Sequence, residues 1–478
     1  MKSVTGTNRR LRPHFFLACA IALSAASACS DDADDDDDTA TGGRAGRGGA
    51  PATGGTPSGG AATSGETGSG GSSLGGATAS AGAAGEAVGG ASGAGAGGAE
   101  LGGEAGAGGA VGPMNPDTDV FRPEERDVTM DLIDGLSVPD GFELSVFAAG
   151  LADARMLETH GEHVYVTQPL AGNVLLLADA NEDGMADAPV IVASNLPLVH
   201  GIVFHEDRVY LATDKTVLRA PVAEDGSFGE LVSIIDDLPD GGQHPRRTLG
   251  IGPDDLLYIS VGSSCDACAE TNPENATLLQ SSLDGSTRTI FAKGLRNTIG
   301  FDWDPETERL WGMDHGSDWR GGDLPPEELN EIEEGNDYGW PYCFGDRQPD
   351  PIIQPPPEQS IEEYCSATAP PTATADAHKA PIAFRFYDGT DFPDEYSGNA
   401  FVAMHGSWNR FPPTGYSVER VTFEDGEPRG FELFLTGFLI EGGAAVFGRP
   451  AGLTIAPDGA LLVSDDLNGM IYRVASAD

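Results

Sequence analysis

Residues Asn297–Gly316 read NTIGFDWDPETERLWGMDHG. Ile299, Phe301 and Trp303 alternate with small or polar residues, the period of a strand with one buried face. Asp304-Pro305 marks a turn, and Arg309–Met313 forms a second strand. The unit is a small or polar residue ahead of an alternating strand, a turn, and a returning strand. It recurs as ARMLETHGEHVYVTQ (Ala154–Gln168), HGIVFHEDRVYLAT (His200–Thr213) and RTLGIGPDDLLYISVG (Arg247–Gly262). PAGLTIAPDGALLVSDD (Pro450–Asp466) is a further copy, and Ala380–Gly406 a degenerate one. Further strands fill the gaps at Asn173–Ala178, Thr216–Ala220 and Met470–Val474.

Six strand–turn–strand copies predict an all-β, six-bladed β-propeller, each copy supplying the two inner strands of a blade. The residues ahead of each inner strand then converge at one mouth of the central channel. They are Arg155, His200, His244, Arg296 with Asn297, His378 and Arg449. Basic or imidazole groups at one phase of six repeats predict a cationic pocket on the axis. The alternative is that they hydrogen-bond turns between blades. Between Met313 and Cys343 the chain is a long loop rich in Asp, Glu, Gly and Trp, too long for a plain connector on a β scaffold. Within it, Tyr338–Pro341 reads as a packed return into the next blade.

The rest of the chain frames this domain, which spans residues 117–478. Lys2, Arg9, Arg10 and Arg12 precede an apolar run, Phe15–Leu23, which predicts a secretory signal over residues 1–28. Ala26-Ser27-Ala28-Cys29 resembles a bacterial lipobox with Cys29 as the lipidated residue; ordinary cleavage after Ala28 is the alternative. Residues 29–116 are Asp-rich and then rich in Gly, Ala and Ser, a composition too poor in large apolar groups to fold, and so predict a flexible tether. The chain is thereby expected to be exported and held at the cell envelope, meeting the membrane only through a lipid. With 75 acidic against 27 Lys and Arg residues, the net charge of -48 makes nucleic acid a poor partner. Cys265 and Cys268 form a CxxC, and Cys343 is left to pair with Cys365, so two disulfides are expected of an exported protein. DANEDGMAD, Asp179–Asp187, places Asp179, Asn181, Asp183 and Asp187 at positions 1, 3, 5 and 9 of an EF-hand-type loop, with Gly184 at position 6. Val190 stands where the bidentate Glu belongs, so the loop reads as a weak structural calcium site or as a polar hairpin turn.

QHPRRTLGIGPDDLLYISVGSSC (Gln243–Cys265), GLRNTIGFDW (Gly294–Trp303), LNEIEEGNDYGWPYC (Leu329–Cys343) and HGSWNRFPPTGY (His405–Tyr416) together resemble the glucose/sorbosone dehydrogenase family. Its members are propellers that use pyrroloquinoline quinone (PQQ), and the likeness covers most of residues 137–475. The resemblance implies that His244 is the catalytic base and that Arg296, Asn297 and Arg449 contact PQQ; a family lysine has no clean match, with Arg410 the stand-in and His405 the alternative. Arg155 and His200 complete the implied cofactor set. It also implies an active-site calcium held by His315-Gly316-Ser317, largely through carbonyls, with Glu327 and Glu328 in the acidic loop behind. The implied reaction is PQQ- and calcium-dependent oxidation of a sugar, sugar aldehyde or polyol. A neutral imidazole suits the proton step, and calcium with Arg296 would draw charge from the quinone. No CxxCH haem motif is present, so electrons would pass to a separate acceptor. A calcium-dependent lactonase-type hydrolase and a cofactor-free glycan- or partner-binding propeller are the competing readings, which fold alone does not separate.

Overall fold

The computed structural model describes residues 120–477. The signal sequence, Cys29 and the whole tether (residues 29–116) lie outside the described residues. The described chain forms six four-stranded antiparallel sheets, one for each repeat. Blade 1 comprises Leu157–His160, His163–Gln168, Asn173–Ala178 and Val190–Ala193. Blade 2 comprises Ile202–His205, Arg208–Ala212, Val217–Pro221 and Val232–Ile235. Blade 3 comprises Leu249–Ile251, Leu257–Val261, Thr277–Ser281 and Arg288–Lys293. Blade 4 comprises Gly300–Trp303, Leu310–Asp314, Glu327–Glu331 and Ala373–Ala375. Blade 5 comprises Pro381–Phe386, Ala400–Met404, Ser417–Glu424 and Glu427–Leu435.

Blade 6 closes the ring. Its inner three strands, Pro450–Ile455, Leu461–Asp465 and Met470–Ser476, come from the end of the chain, and its outer strand, Phe142–Ala148, from the beginning. The ladder from Phe142↔Ser476 to Ala148↔Ile471 therefore ties the two ends of the domain together.

The core is divided into wedges between adjacent blades. Trp311, Phe384, Phe386 and Val402 pack between blades 4 and 5, and Tyr165, Leu176, Val209 and Leu211 between blades 1 and 2. Each buried aromatic or branched side chain contributes about 1.5–3 kcal/mol of transfer free energy, so neighbouring blades stabilise each other. The glycines of the repeat mark where inner strands crowd the axis. A Cβ on Gly300 would lie 2.5 Å from the Phe384 amide nitrogen, and one on Gly452 2.3 Å from the Arg155 carbonyl.

Blade 4 carries the long excursions that shape the mouth. Residues 315–326 join its second and third strands there. Residues 332–372 leave from the far end, climb to the mouth, and return to the fourth strand of the same blade. This excursion is braced by a Cys343–Cys365 disulfide, Cys365 lying on a short helix, Ile361–Ser366, with a Ser360/Glu363 capping box. Opening this disulfide frees a loop spanning 22 residues. Cys343→Ser with Cys365→Ser is expected to cost about 3 kcal/mol in chemical denaturation.

Candidate functional site

The channel mouth collects the residues that the repeat phase places there. Arg155, His200, His244, Arg296, Asn297 and His378 are all buried, while Arg449 and Arg410 are half-buried. On the side of blades 3 and 4, Gly262 is the notch that lets two of them lie together. A Cβ there would come within 2.5 Å of the His244 Cβ and 2.7 Å of the Asn297 Oδ1. His244 Nδ1 meets the Ser263 carbonyl at 2.9 Å and the Ser263 hydroxyl at 2.8 Å. The His244 carbonyl accepts from Arg247, whose buried guanidinium also reaches the carbonyls of Asp214 and Pro239. Arg247 is thus a strut for the loop carrying His244.

On the side of blades 1, 2, 5 and 6, Arg155 pairs with Asp466, and His405 Nε2 lies 2.9 Å from the same carboxylate. Among the described residues the Arg449 guanidinium donates to the carbonyls of His405 and Gly406, at 3.3 and 3.5 Å, and its backbone N–H to Asp465 Oδ1 at 2.9 Å. His200 is fully enclosed; its Nδ1 lies 3.3 Å from the Arg247 carbonyl, and its Nε2 has no hydrogen-bond partner. Burial, then Arg155 and Arg246 nearby, hold its pKa well below the usual histidine range. Burial and Arg449 push that of His405 down to about 4. Both imidazoles are neutral near pH 7.

Arg296 is held from several directions. Its Nε donates to the Asp266 carbonyl at 3.0 Å, and its Nη2 meets Asp266 Oδ1 at 3.0 Å and Asp318 Oδ2 at 3.3 Å. Asp266 lies between Cys265 and Cys268, which form the second disulfide. Its carbonyl also accepts from Ser317 Oγ and from the Trp340 indole. Trp340 therefore belongs to the mouth as well as to a packed return. His378 bonds the Gly321 carbonyl at 2.8 Å, and Arg410 reaches the Ala377 carbonyl and Asp323.

The acidic loop is buried. Glu327 spends both oxygens on backbone N–H groups, of Gly316 at 3.0 Å and of Ala380 at 3.0 Å. Glu328 accepts from Gly345, and Asp314 from the backbone of Arg296 and Asn297 and from Thr298 Oγ1. His315 Nε2 lies 2.6 Å from the Pro381 carbonyl. Asp314, His315, Gly316, Ser317, Glu328 and Asp350 line a cavity of about 20 Å³, room for one ion or water. Glu328, the Gly316–Ser317 backbone and one-ion space form a donor set that a hard cation suits. Asp350 is paired with Arg320, and Asp314, like Glu327, spends both oxygens on backbone N–H groups and so fixes the loop. Away from the mouth, Asp179, Asn181, Asp183 and Asp187 turn oxygens onto N–H groups of their own loop.

Burial, then Asp314, pushes the Glu328 pKa up to about 8; burial pushes Glu327 and Asp465 up to about 7. A folded-state pKa above its unfolded value means the folded chain holds protons that the unfolded chain has released. These acids therefore cost stability from their unfolded pKa near 4 up to their folded values of about 7–8, while the low-pKa histidines, half-protonated in the unfolded chain at about pH 6.5, oppose the loss only weakly above it. The metal-free protein is expected to melt at lower temperature at pH 8 than at 6.5. Asp465→Asn, away from the ion-sized cavity, is expected to flatten that slope in a scanning calorimeter.

Several site residues escape sequence reading. Asp266, Asp318 and Asp466 are three among 75 acidic residues, and only the fold brings them onto arginines. Arg246 and Arg247 were legible as a basic pair, but nothing in the spacing says which one is a strut.

A family model described as TrAA12-like matches residues 136–477. An uncharacterised protein of Borreliella burgdorferi is 28% identical over 357 residues, covering 71% of this chain and 90% of its own. A pyrroloquinoline quinone-dependent pyranose dehydrogenase of Coprinopsis cinerea is 30% identical over 170 residues, 28% of this chain and 22% of that much longer protein. The solved PQQ domain of the Coprinopsis cinerea pyranose dehydrogenase, in holo form, superposes with a TM-score of 0.61 at 20% identity, covering 74% of this chain and 98% of that one. A calcium structure of a Trichoderma reesei family AA12 enzyme superposes with a TM-score of 0.63 at 19% identity, covering 72% and 97%. At these identities the superpositions speak for the fold.

Proposed function

Because the chain belongs to the TrAA12-like family, we propose that it oxidises a sugar, sugar aldehyde or polyol, using PQQ and calcium. The observation that carries the reading is His244 fixed beside Asn297, with its Nδ1 tied to Ser263. The residues present fit a polyanionic cofactor. Among the described residues His200 Nε2 is a buried polar atom lacking a partner, and the Arg449 guanidinium engages carbonyls, so its charge can be offered without breaking an ion pair. Arg155 and Arg296 already hold carboxylates and would share their donors. Glu328 and the Gly316–Ser317 backbone would hold calcium in the one-ion cavity, Asp314 joining them only by giving up a backbone N–H.

PQQ, when bound, supplies the electron-accepting quinone. The chain's own part is the proton. A carbonyl oxygen only accepts, so in the neutral imidazole Nδ1 of His244 carries the hydrogen and Nε2 is the basic atom. Nε2 is then the atom that takes the substrate hydroxyl proton, while Arg247 keeps the ring in register. The C–H electron pair would be taken up by the quinone that the bound group supplies, with a separate acceptor needed to reoxidise it. Export and lipidation at Cys29 complete the proposal, placing the chain at the cell envelope.

Titrating the purified protein with PQQ in the presence of calcium, followed by dye-coupled oxidation of aldoses, polyols and aldehydes, tests it. Saturable PQQ binding and dye reduction are expected. Absence of both, with every substrate, would overturn the reading.

A further inference from the structure

Beside the mouth lies a cavity of about 940 Å³ between the Cys265–Cys268 loop and the climbing segment of blade 4. We infer that it is a subsite for a neutral oligosaccharide, holding rings beyond the one whose hydroxyl is oxidised; the inference builds on the proposed sugar chemistry.

The cavity adjoins the reacting region without including it. Gln243 on its wall precedes His244, and Asp266 on its wall bonds Arg296. Trp319 and Tyr342 supply aromatic surface, and Gln243 and Gln354 supply amides. The charged groups on the wall are matched: Arg320 lies 3.5 Å from Asp266 and 2.7 Å from Asp350. A wall that combines aromatic rings with amides and compensated charge suits a ligand with apolar faces, hydroxyl edges and no charge, which is the chemistry of a pyranose chain. A chain of net charge -48 also disfavours anionic polymers.

The aromatic wall is set in place. Trp319 has a left-handed backbone, φ 61°, which a bulky residue keeps only where the surroundings impose it. Here Trp408 packs edge-on at 5.4 Å, and Asn409, next to it, donates to Asp318, next to Trp319, at 2.6 Å. Tyr342 is packed in the same edge-on manner by Tyr364 at 4.9 Å. Pockets for single drug-sized ligands run from about 300 to 1,000 Å³. This volume is at the upper end, more than one sugar ring needs.

The test is calorimetric titration of the PQQ-free protein with glucose, xylose and mannose and with cellotetraose, xylotetraose, maltotetraose and mannotetraose. At least one tetrasaccharide is expected to bind ten-fold or more tightly than its monosaccharide. Trp319→Ala should erase that preference and Trp319→Phe keep most of it. Tyr342→Ala serves as a second variant if Trp319→Ala fails to fold. Equal binding of tetrasaccharides and monosaccharides, or a preference untouched in folded Trp319→Ala and Tyr342→Ala, overturns the inference. Tetrasaccharide preference without dye reduction in the PQQ-loaded protein would sink the dehydrogenase reading and leave the subsite standing. Monosaccharide oxidation without that preference does the reverse.

Discussion

His244→Ala is expected to lower PQQ-dependent dye reduction by about 10²–10⁴-fold, the usual worth of a positioned general base, with PQQ affinity changed only a few-fold. The ring is committed to this task by its neighbours. Ser263 engages Nδ1 through both its carbonyl and its hydroxyl, and that hydroxyl spends its own hydrogen on the Cys265 carbonyl at 2.7 Å. The imidazole therefore donates at Nδ1 and has Nε2 as its basic atom. Backbone bonds hold the residue as firmly, with its N–H on the Gly241 carbonyl at 2.8 Å and its carbonyl on Arg247. Ser263→Ala removes one of two acceptors and is expected to cost only a few-fold in kcat, since the carbonyl remains. Stopped-flow reduction of the loaded protein separates the step from dye turnover. Full turnover in a His244→Ala protein that binds PQQ normally would remove His244 as the base.

Much of the fold was legible because a propeller repeats one local problem. Each copy must bury alternating side chains against the next blade and let the inner strand approach the axis, so the same alternation and the same glycines return. The strand expected at Arg309–Met313 is found at Leu310–Asp314, and that expected at Thr216–Ala220 at Val217–Pro221. Ring closure was not legible. Phe142–Ala148 precedes the first repeat and bears no mark of its pairing with Met470–Ser476, a contact between residues more than 300 positions apart.

The site was legible as far as repeat phase could carry it. Arg155, His200 and Arg449 gather round His405 and Asp466, and His244 lies beside Asn297, because phase fixes where a strand begins. Partners contributed by loops follow no phase. Glu327 shows the difference: the acidic loop was visible as a motif, but its carboxylate caps the N–H groups of Gly316 and Ala380. Asp466 lies one residue beyond the second inner strand of blade 6, at the end of the repeat copy Pro450–Asp466, with nothing in the pattern to mark it, yet it joins Arg155 to His405. Asp266 lies inside the CxxC, whose spacing speaks of the cysteines alone.

Asp266→Ala is expected to destabilise the domain by about 3–5 kcal/mol, the cost of removing one member of a buried ion pair. Its carboxylate faces Arg296 at 3.0 Å and Arg320 at 3.5 Å and accepts the Asp318 N–H at 2.6 Å. Arg296 would keep Asp318, and Arg320 would keep Asp350, which sets the effect nearer the lower end. Asp266→Asn keeps an acceptor for the Asp318 N–H and loses only the charge, so it should fall between Ala and wild type. The backbone carbonyl is a separate matter, since it takes Arg296 Nε, Ser317 Oγ and Trp340 Nε1 whatever the side chain. That carbonyl is held by the four-residue loop of the Cys265–Cys268 disulfide, so Cys265→Ser with Cys268→Ser is expected to cost about 2 kcal/mol from loop closure. The carboxylate and the carbonyl grip the same guanidinium. Combining Asp266→Ala with the cysteine replacements should therefore depart from additivity by more than about 0.5 kcal/mol. Urea or guanidinium denaturation of the variants measures all of these. An Asp266→Ala midpoint within 1 kcal/mol of wild type, taken as about a fivefold change in the folding constant, would show that Arg296 is held without Asp266.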